Sequence, residues 1–134
     1  MSNFFKSIKI CLDQKLKDIM PNEVIIYENQ DFTPNYTDGY FRPTLIPGSG
    51  TLIDLNGSQE EQGIYQIDMV FPANQGLVNI LDKSNELFEG YRQQELEHDG
   101  TVIYIREVTR LPFFKEGAKI VGAVQVNYVS YSEI

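Results

Sequence analysis

With 134 residues, 42% of them hydrophobic, the chain is long enough to bury the core of one domain, which we expect to span residues 1–134. Its 11 basic and 19 acidic residues give a net charge of -8, which argues against a general nucleic-acid-binding surface, because such a surface has to be basic. A single cysteine excludes an internal disulfide framework, and no segment approaches the roughly 20 apolar residues of a membrane span.

The first 20 residues differ in charge from the rest of the chain. They carry four lysines and two aspartates, a net charge of +2, whereas residues 21–134 carry seven basic and seventeen acidic groups, a net charge of -10. We therefore expect an electrically two-sided molecule. The first residues lack the apolar block and cleavage site of a secretory signal, so we interpret them as part of the fold and expect assembly in the cytoplasm.

The first predicted element is an amphipathic helix. Ser2 or Asn3 can cap its start, and Pro21 ends it. Its apolar residues recur at helical spacing: Phe4, Ile8, Leu12, Leu16 and Ile19. The β-branched run at residues 23–28 then predicts a first strand, followed by a polar, turn-rich segment.

The second predicted strand covers residues 40–47. Pro43 lacks the N–H that a central strand would donate, so we expect this strand at an edge of the sheet. Asn56 and Gly57 favour a hairpin turn within residues 48–63, but the second half of that segment is too polar to predict a return strand. The segment is either a tolerated surface insertion or an arm that lies across a neighbouring subunit, and its mixed apolar and acidic character favours the arm.

Strict alternation predicts the third strand at residues 63–72. One side of an extended chain there carries four apolar residues: Tyr65, Ile67, Met69 and Phe71. Pro72 ends this strand and Asn74 can cap a second amphipathic helix. The apolar face of that helix is formed by Leu77, Ile80, Leu81, Ser84, Leu87, Phe88 and Tyr91.

Two further strands complete the prediction, at residues 100–108 and 119–132, with the loop 109–118 between them. The element order is therefore α-β-β-β-α-β-β. Short links between consecutive strands favour antiparallel pairing. We predict an α+β fold, a mainly antiparallel sheet of about five strands with the two amphipathic helices packed on one face.

The sequence carries no recognised catalytic or cofactor-binding motif. The glycines of residues 47–50 lack the third glycine of a dinucleotide site and the lysine of a P-loop. His98 is expected at the surface in a polar turn and Cys11 beside the apolar stripe of the first helix, so they form no zinc set. We therefore predict no catalytic residue, no cofactor, no metal and no enzymatic activity.

Carboxylates are numerous but are arranged like a solvated surface. They follow the polar face of the second helix and its exit: Glu86, Glu89, Glu95, Glu97 and Asp99. A general acid and base need contrasting environments, which this spacing does not indicate.

Phe113 and Phe114 are the residues hardest to explain as scaffold. They lie in a loop bounded by proline and glycine, where a soluble monomer gains nothing by exposing them. They either fold back over the core or contact a partner, and both interpretations stay open. Together with the predicted edge strand and residues 48–63, they supply the candidate subunit or partner interface: Arg42, Leu52, Asp54, Glu60, Glu61, Phe113 and Phe114.

The order of these segments resembles the tail terminator-like proteins of tailed bacteriophages. The resemblance rests on the first helix, then "YENQDFTPNY", "YFRPTLIPG" and "GIYQIDMVFPANQG" leading into a helix, and it spans roughly residues 3–130. It implies a structural α+β subunit of a hexameric ring at the head-proximal end of the virion tail. Such a ring caps the tail tube, ends its polymerisation and presents a surface to the head connector.

The resemblance also implies the partners. They are further copies of the chain, the major tail tube protein, the head connector or neck protein, and duplex DNA that passes through the lumen without specific binding. The acidic balance is compatible with such a lumen, because a surface that repels phosphate lets the duplex slide.

Three other interpretations stay open. Another head-tail joining (neck) protein would share the structural character. A small enzyme would need a carboxylate pair, such as Asp68 with an acid from a loop. A binding module would accept an added strand at the edge formed by residues 40–47 or by the last strand.

Overall fold

The structure is a computed structural model that describes residues 2–27, 39–52, 59–73, 77–92, 94–98 and 100–132. These residues contain two helices and six strands. In chain order they are α1 (Ser2–Ile19), β1 (Tyr40–Leu52), β2 (Gln59–Pro72), α2 (Leu77–Tyr91), β3 (Glu95–His98), β4 (Thr101–Arg110), β5 (Phe114–Glu116) and β6 (Lys119–Ser132). The α+β class is as predicted, with more strands than expected.

The strands form one sheet in the order β1-β2-β6-β4-β3, with β5 paired to β6, and every pairing between these strands is antiparallel. β1 is an edge strand, as Pro43 predicts, because proline has no N–H to give to a second neighbour. β6 pairs with β2 on one side and with β4 and β5 on the other. The prediction that the last strand could serve as an open edge is therefore wrong.

Of the predicted strand at residues 23–28, the described residues 23–27 do not form a strand. Within this run, Ile25 makes only an isolated parallel bridge to Phe41. The N–H of Ile26 donates to the carbonyl of Phe41 over 2.8 Å, and the N–H of Phe41 donates to the carbonyl of Val24 over 2.9 Å. Only Ile25 of the described part of this run forms a bridge to β1, so β-branched composition alone misled the prediction.

The polar residues before Gly63 do form the return strand that their composition did not predict. β2 begins at Gln59, and its first residues pair with β1 on one side and with β6 on the other. Paired backbone on both sides holds this polar segment in the sheet, because strand formation depends on neighbours more than on composition. The predicted turn at Asn56 and Gly57 lies outside the described residues.

Two short strands lie in segments that were predicted to be turn or loop. Glu95, Leu96 and Glu97 belong to β3, so the carboxylates expected at a helix exit sit on a strand, and His98 is its last residue, opposite Thr101. β5 divides the predicted loop 109–118 and forms a hairpin with β6, whose turn places Gly117 at a φ of 62°. A positive φ favours glycine, which explains that residue at the turn.

Both helices pack on one face of the sheet. The alternating residues Tyr65, Ile67, Met69 and Phe71 are all buried there, as predicted. The helices add a second layer to the same core, with Ile8, Leu12, Leu16, Ile80, Leu87 and Tyr91 fully buried. Cys11 is buried in this cluster too, which confirms its interpretation as a small core residue. The opposite face of the sheet, called the outer face below, carries no helix of the described chain.

Candidate assembly surfaces

The most strongly perturbed titratable groups lie inside the core. The hydroxyl of Tyr65 donates a hydrogen bond to the carboxylate of Asp13, which also accepts one from Nζ of Lys9 over 3.0 Å. The hydroxyl of Tyr91 donates to the carbonyl of Leu12 over 2.8 Å. Burial is the main cause that raises the pKa of Tyr65 and of Tyr91, and the charge of Asp13 adds to it. These bonds tie α1 to the sheet and to α2, so this cluster serves the fold.

The described residues contain neither a metal-binding cluster nor a membrane-spanning helix. No group of three or more His, Cys, Asp or Glu side chains among them could hold a metal ion. Within the same ranges, no helix combines the length and the apolar character needed to cross a bilayer. Asp68, the acid of the enzymatic interpretation, accepts a hydrogen bond from Nε2 of Gln66 over 2.9 Å on the outer face.

Phe113 and Phe114 have separate environments, although they are adjacent in sequence. Phe113 is half-buried and packs against the main core, where its ring covers Gly122 on the helix side of the sheet. Phe114 pairs with Val121 in the β5–β6 hairpin, and 56% of its surface is exposed. Of the two open interpretations, folding back over the core describes Phe113, and exposure toward a partner stays a prediction for Phe114.

Other exposed apolar side chains lie on the first turns of α2. Leu77 borders the same shallow depression as Phe113 and Phe114. Val78 is 69% exposed, and Leu81 follows one turn later on the helix. We call these four residues, Leu77, Val78, Leu81 and Phe114, the Phe114 patch. Exposed apolar side chains that border one depression, as Leu77 and Phe114 do, are candidates for contact with a partner.

Arg42 lies next to this patch on the outer face. It stands opposite Asp68 across the β1–β2 pair, and its guanidinium carbon is 6.0 Å from the centre of the Tyr40 ring. Arg42, Asp68 and Phe114 line one cavity of about 330 Å³, together with apolar residues of β2 and β6. The structure thus brings two of the predicted interface residues, Arg42 and Phe114, to one site.

The remaining candidates lie elsewhere. Glu60 is eight residues before Asp68 on β2, which corresponds to roughly 27 Å along a strand. Glu61 follows it and therefore points to the opposite face. Leu52 is the last residue of β1, opposite Gln59, whereas Asp54 lies outside the described residues.

A second exposed surface surrounds Glu60, and sequence reasoning missed its centre. The rings of Tyr104 and Tyr131 form an edge-to-face pair with centroids 5.9 Å apart, and they are 41% and 42% exposed. Tyr104 lies in the continuous apolar run of residues 102–105, so the pattern indicated only that it belongs to a strand. Its pairing with Tyr131 depends on the β4–β6 register, which no local signal shows.

These features define a two-layer α+β protein whose described residues carry exposed surfaces suited to assembly. A family model described as phage tail terminator protein matches residues 7–128. The chain therefore belongs to the phage tail terminator protein family, a family of structural proteins of the phage tail.

Comparison with solved structures supports the fold. One solved structure superposes with a TM-score of 0.78 over 96% of this chain and 96% of its own chain. Its sequence is 18% identical, so the likeness shows a shared fold and nothing further. A search of curated proteins found no significant match.

Proposed function

We propose that the protein assembles into a ring, of six subunits as the resemblance implies, that caps the phage tail tube. The ring ends polymerisation of the tube and offers its free side to the head connector. Membership of the phage tail terminator protein family supports this role. The observation that carries it is the exposed Phe114 ring, which borders one depression with Leu77, because neighbouring exposed apolar side chains are better explained by a permanent partner than by a monomer in water.

The patch and the neighbouring cavity supply different contributions to binding. Leu77, Val78 and Phe114 provide apolar area that a partner removes from water. Arg42 adds a planar cation at the rim of the cavity, opposite Asp68. Aromatic and arginine side chains dominate the energy of many protein interfaces, so Phe114 and Arg42 are the residues on which binding of the tail tube protein should depend most.

In this proposal, duplex DNA moves through the ring without being bound as a ligand. The net charge of -8 disfavours stable contacts with phosphate groups. A ring of such subunits would let the duplex move through its lumen without specific binding.

The experiment is to silence the gene with a stop codon and to measure tail length by negative-stain electron microscopy, with the intact gene on a plasmid as control. Overlong tubes without heads, corrected by the plasmid, are the expected result. Tails of normal length without heads would assign the protein to the neck instead. Normal infectious particles would overturn both assignments.

A further inference from the structure

We infer that neighbouring copies of this chain join through one face of α1 on one copy and a tyrosine-centred patch on the outer face of the next. The inference rests on the proposed function, since it names the contact by which the ring is built. Two surfaces carry it, and they differ in charge and lie on opposite layers of the molecule.

The first surface, the tyrosine patch, is defined by the strand register. Two rows of directly opposed residues cross β2, β6, β4 and β3 on the outer face. One row is Glu60, Tyr131, Val102 and Glu97, and the next is Gln62, Val129, Tyr104 and Glu95. The centre of the patch is aromatic and aliphatic, while carboxylates stand at its two sides.

Its surroundings leave the patch acidic. In the following row, Arg106 and Glu107 lie side by side at the bulge of β4, so they add no net charge. Glu97, at the sheet edge, also borders a depression that Gln14 and Lys15 of α1 line, so the patch reaches the helix layer at this edge. Glu60 and Glu95 are therefore the two carboxylates that flank the tyrosines most directly.

The second surface, the α1 stripe, consists of Lys6, Ile10, Gln14 and Lys17. These residues are spaced by three or four positions, so they lie along one side of the helix, and all are exposed. Ile10, at the centre, is 36% exposed. The neighbouring Lys9 and Asp13 form an ion pair of 3.0 Å, so the positive charge of this side comes from Lys6 and Lys17, and the exposed Asp18 beside Lys17 offsets part of it.

The two surfaces are complementary in both respects that matter for binding. Each has an apolar centre, Ile10 on the stripe and the Tyr104–Tyr131 pair on the patch. The flanking charges are opposite in sign, positive on the helix and negative on the sheet. Such complementarity directs association and disfavours other relative orientations of the two copies. A lysine ammonium that lies over the face of a tyrosine ring adds a cation–π attraction.

The placement of the surfaces determines the kind of assembly. α1 packs on the inner face of the sheet, whereas the tyrosine patch is on the outer face, so a chain cannot join its own two surfaces. When two copies join in this way, the dimer still has one free α1 stripe and one free tyrosine patch. Copies therefore continue to add until the assembly closes, which is how heterologous interfaces build rings. The Phe114 patch is used in neither surface and stays available to other tail proteins.

Charge reversal tests the contact directly. One variant carries Glu60→Lys with Glu95→Lys, and the other carries Lys6→Glu with Lys17→Glu. Each alone opposes like charges at every interface, so we expect subunit association to weaken by roughly 100-fold or more. Mixed together, the two variants can alternate around a ring with opposite charges at each contact, so assembly should return. Thermal unfolding of each variant verifies that it is folded.

Two readouts keep this test separate from that of the proposed function. The first is oligomer mass by light scattering, with Asp82→Lys plus Glu86→Lys on the exposed side of α2 as the matched control. The second is restoration of infectious particles when the variants, singly or together, are supplied to the phage that carries the stop codon. Association should also weaken as the salt concentration rises from about 0.1 to about 1 M, because the Debye length, over which charges interact, shortens from about 10 to about 3 Å.

The outcomes are distinct. Loss of assembly for each variant alone and recovery for the mixture supports the contact. Assembly of either variant like the natural chain, or failure of the folded mixture to recover, overturns it. In both of those cases the proposed capping role stands if the natural gene on the plasmid corrects tail length.

Discussion

The rings of Phe113 and Phe114 point to opposite sides of the sheet, one against the core over Gly122 and the other into solvent. Adjacent residues of an extended segment alternate in direction, so two identical side chains have different roles here.

Replacing each phenylalanine separately should separate folding from assembly. Phe113→Ser removes a half-buried ring and is expected to lower the free energy of unfolding by about 1–3 kcal/mol. Phe114→Ser should change it by less than about 0.5 kcal/mol, because the ring is mainly exposed, but should impair binding to tail tubes. Urea unfolding and co-sedimentation with tubes measure the two effects. Equal destabilisation by both variants would contradict the assignment.

Gly122 is predicted to be required by its contact with Phe113. A Cβ built at Gly122 would collide with the Phe113 ring, so Gly122→Ala should destabilise the protein by about 1–3 kcal/mol. In the background of Phe113→Ala, the same change should cost much less, because the obstructing ring is gone. A double-mutant cycle from urea unfolding gives the coupling, and additive effects would show that the ring is not the obstacle.

The buried tyrosines should make stability fall at alkaline pH. Burial raises the pKa of Tyr65 and Tyr91, and burial with the charge of Glu61 raises that of Tyr128 to about 12. Unfolded tyrosine loses its proton near pH 10, so above that pH the native state binds more protons and the free energy of unfolding decreases as pH rises.

Between about pH 10 and its own native pKa, each of these tyrosines lowers the free energy of unfolding by about 1.4 kcal/mol per pH unit. Tyr65→Phe should therefore reduce the slope, while lowering stability below pH 10 by about 1–2 kcal/mol through loss of its bond to Asp13. Urea unfolding at a series of pH values tests both parts. An unchanged slope in the variant would contradict the role given to Tyr65.

Cys11 should be protected from thiol reagents in the native state. It is 7% exposed, and burial raises the pKa of its thiol, so little reactive thiolate is available. We expect slow modification in buffer and rapid modification in urea. The reaction is measured with an aromatic disulfide reagent, from the absorbance of the coloured thiolate that it releases. Fast modification of the folded protein would show that the α1 side of the core opens readily.

Where periodicity and burial agree, the fold could be predicted from the sequence. The apolar stripe of α1 and the alternation in β2 led to the observed elements, because both arise from packing against a single core face. Residues 23–28 show the limit of this reasoning. Their composition favours a strand, but a strand forms only where the backbone pairs with a neighbour along several residues, and in the described part of this run only Ile25 pairs, with Phe41.

The candidate surfaces were predictable only in part. Exposed aromatic residues in a loop indicated Phe114, and the edge proline drew attention to the strand of Arg42. Nothing local indicated Tyr104, since its exposure follows from its place on the outer face, where no helix of the described ranges packs.

Residue type, spacing and order along the chain were enough to predict the class of fold, the edge position of β1, the charge difference between the first 20 residues and the rest, and the resemblance to tail terminators. The folded chain was needed to show that Phe113 is core and Phe114 surface, and that Glu60, Tyr131 and Val102 share one row. These positions depend on strand register, because a shift of one residue between paired strands moves every side chain to the other face.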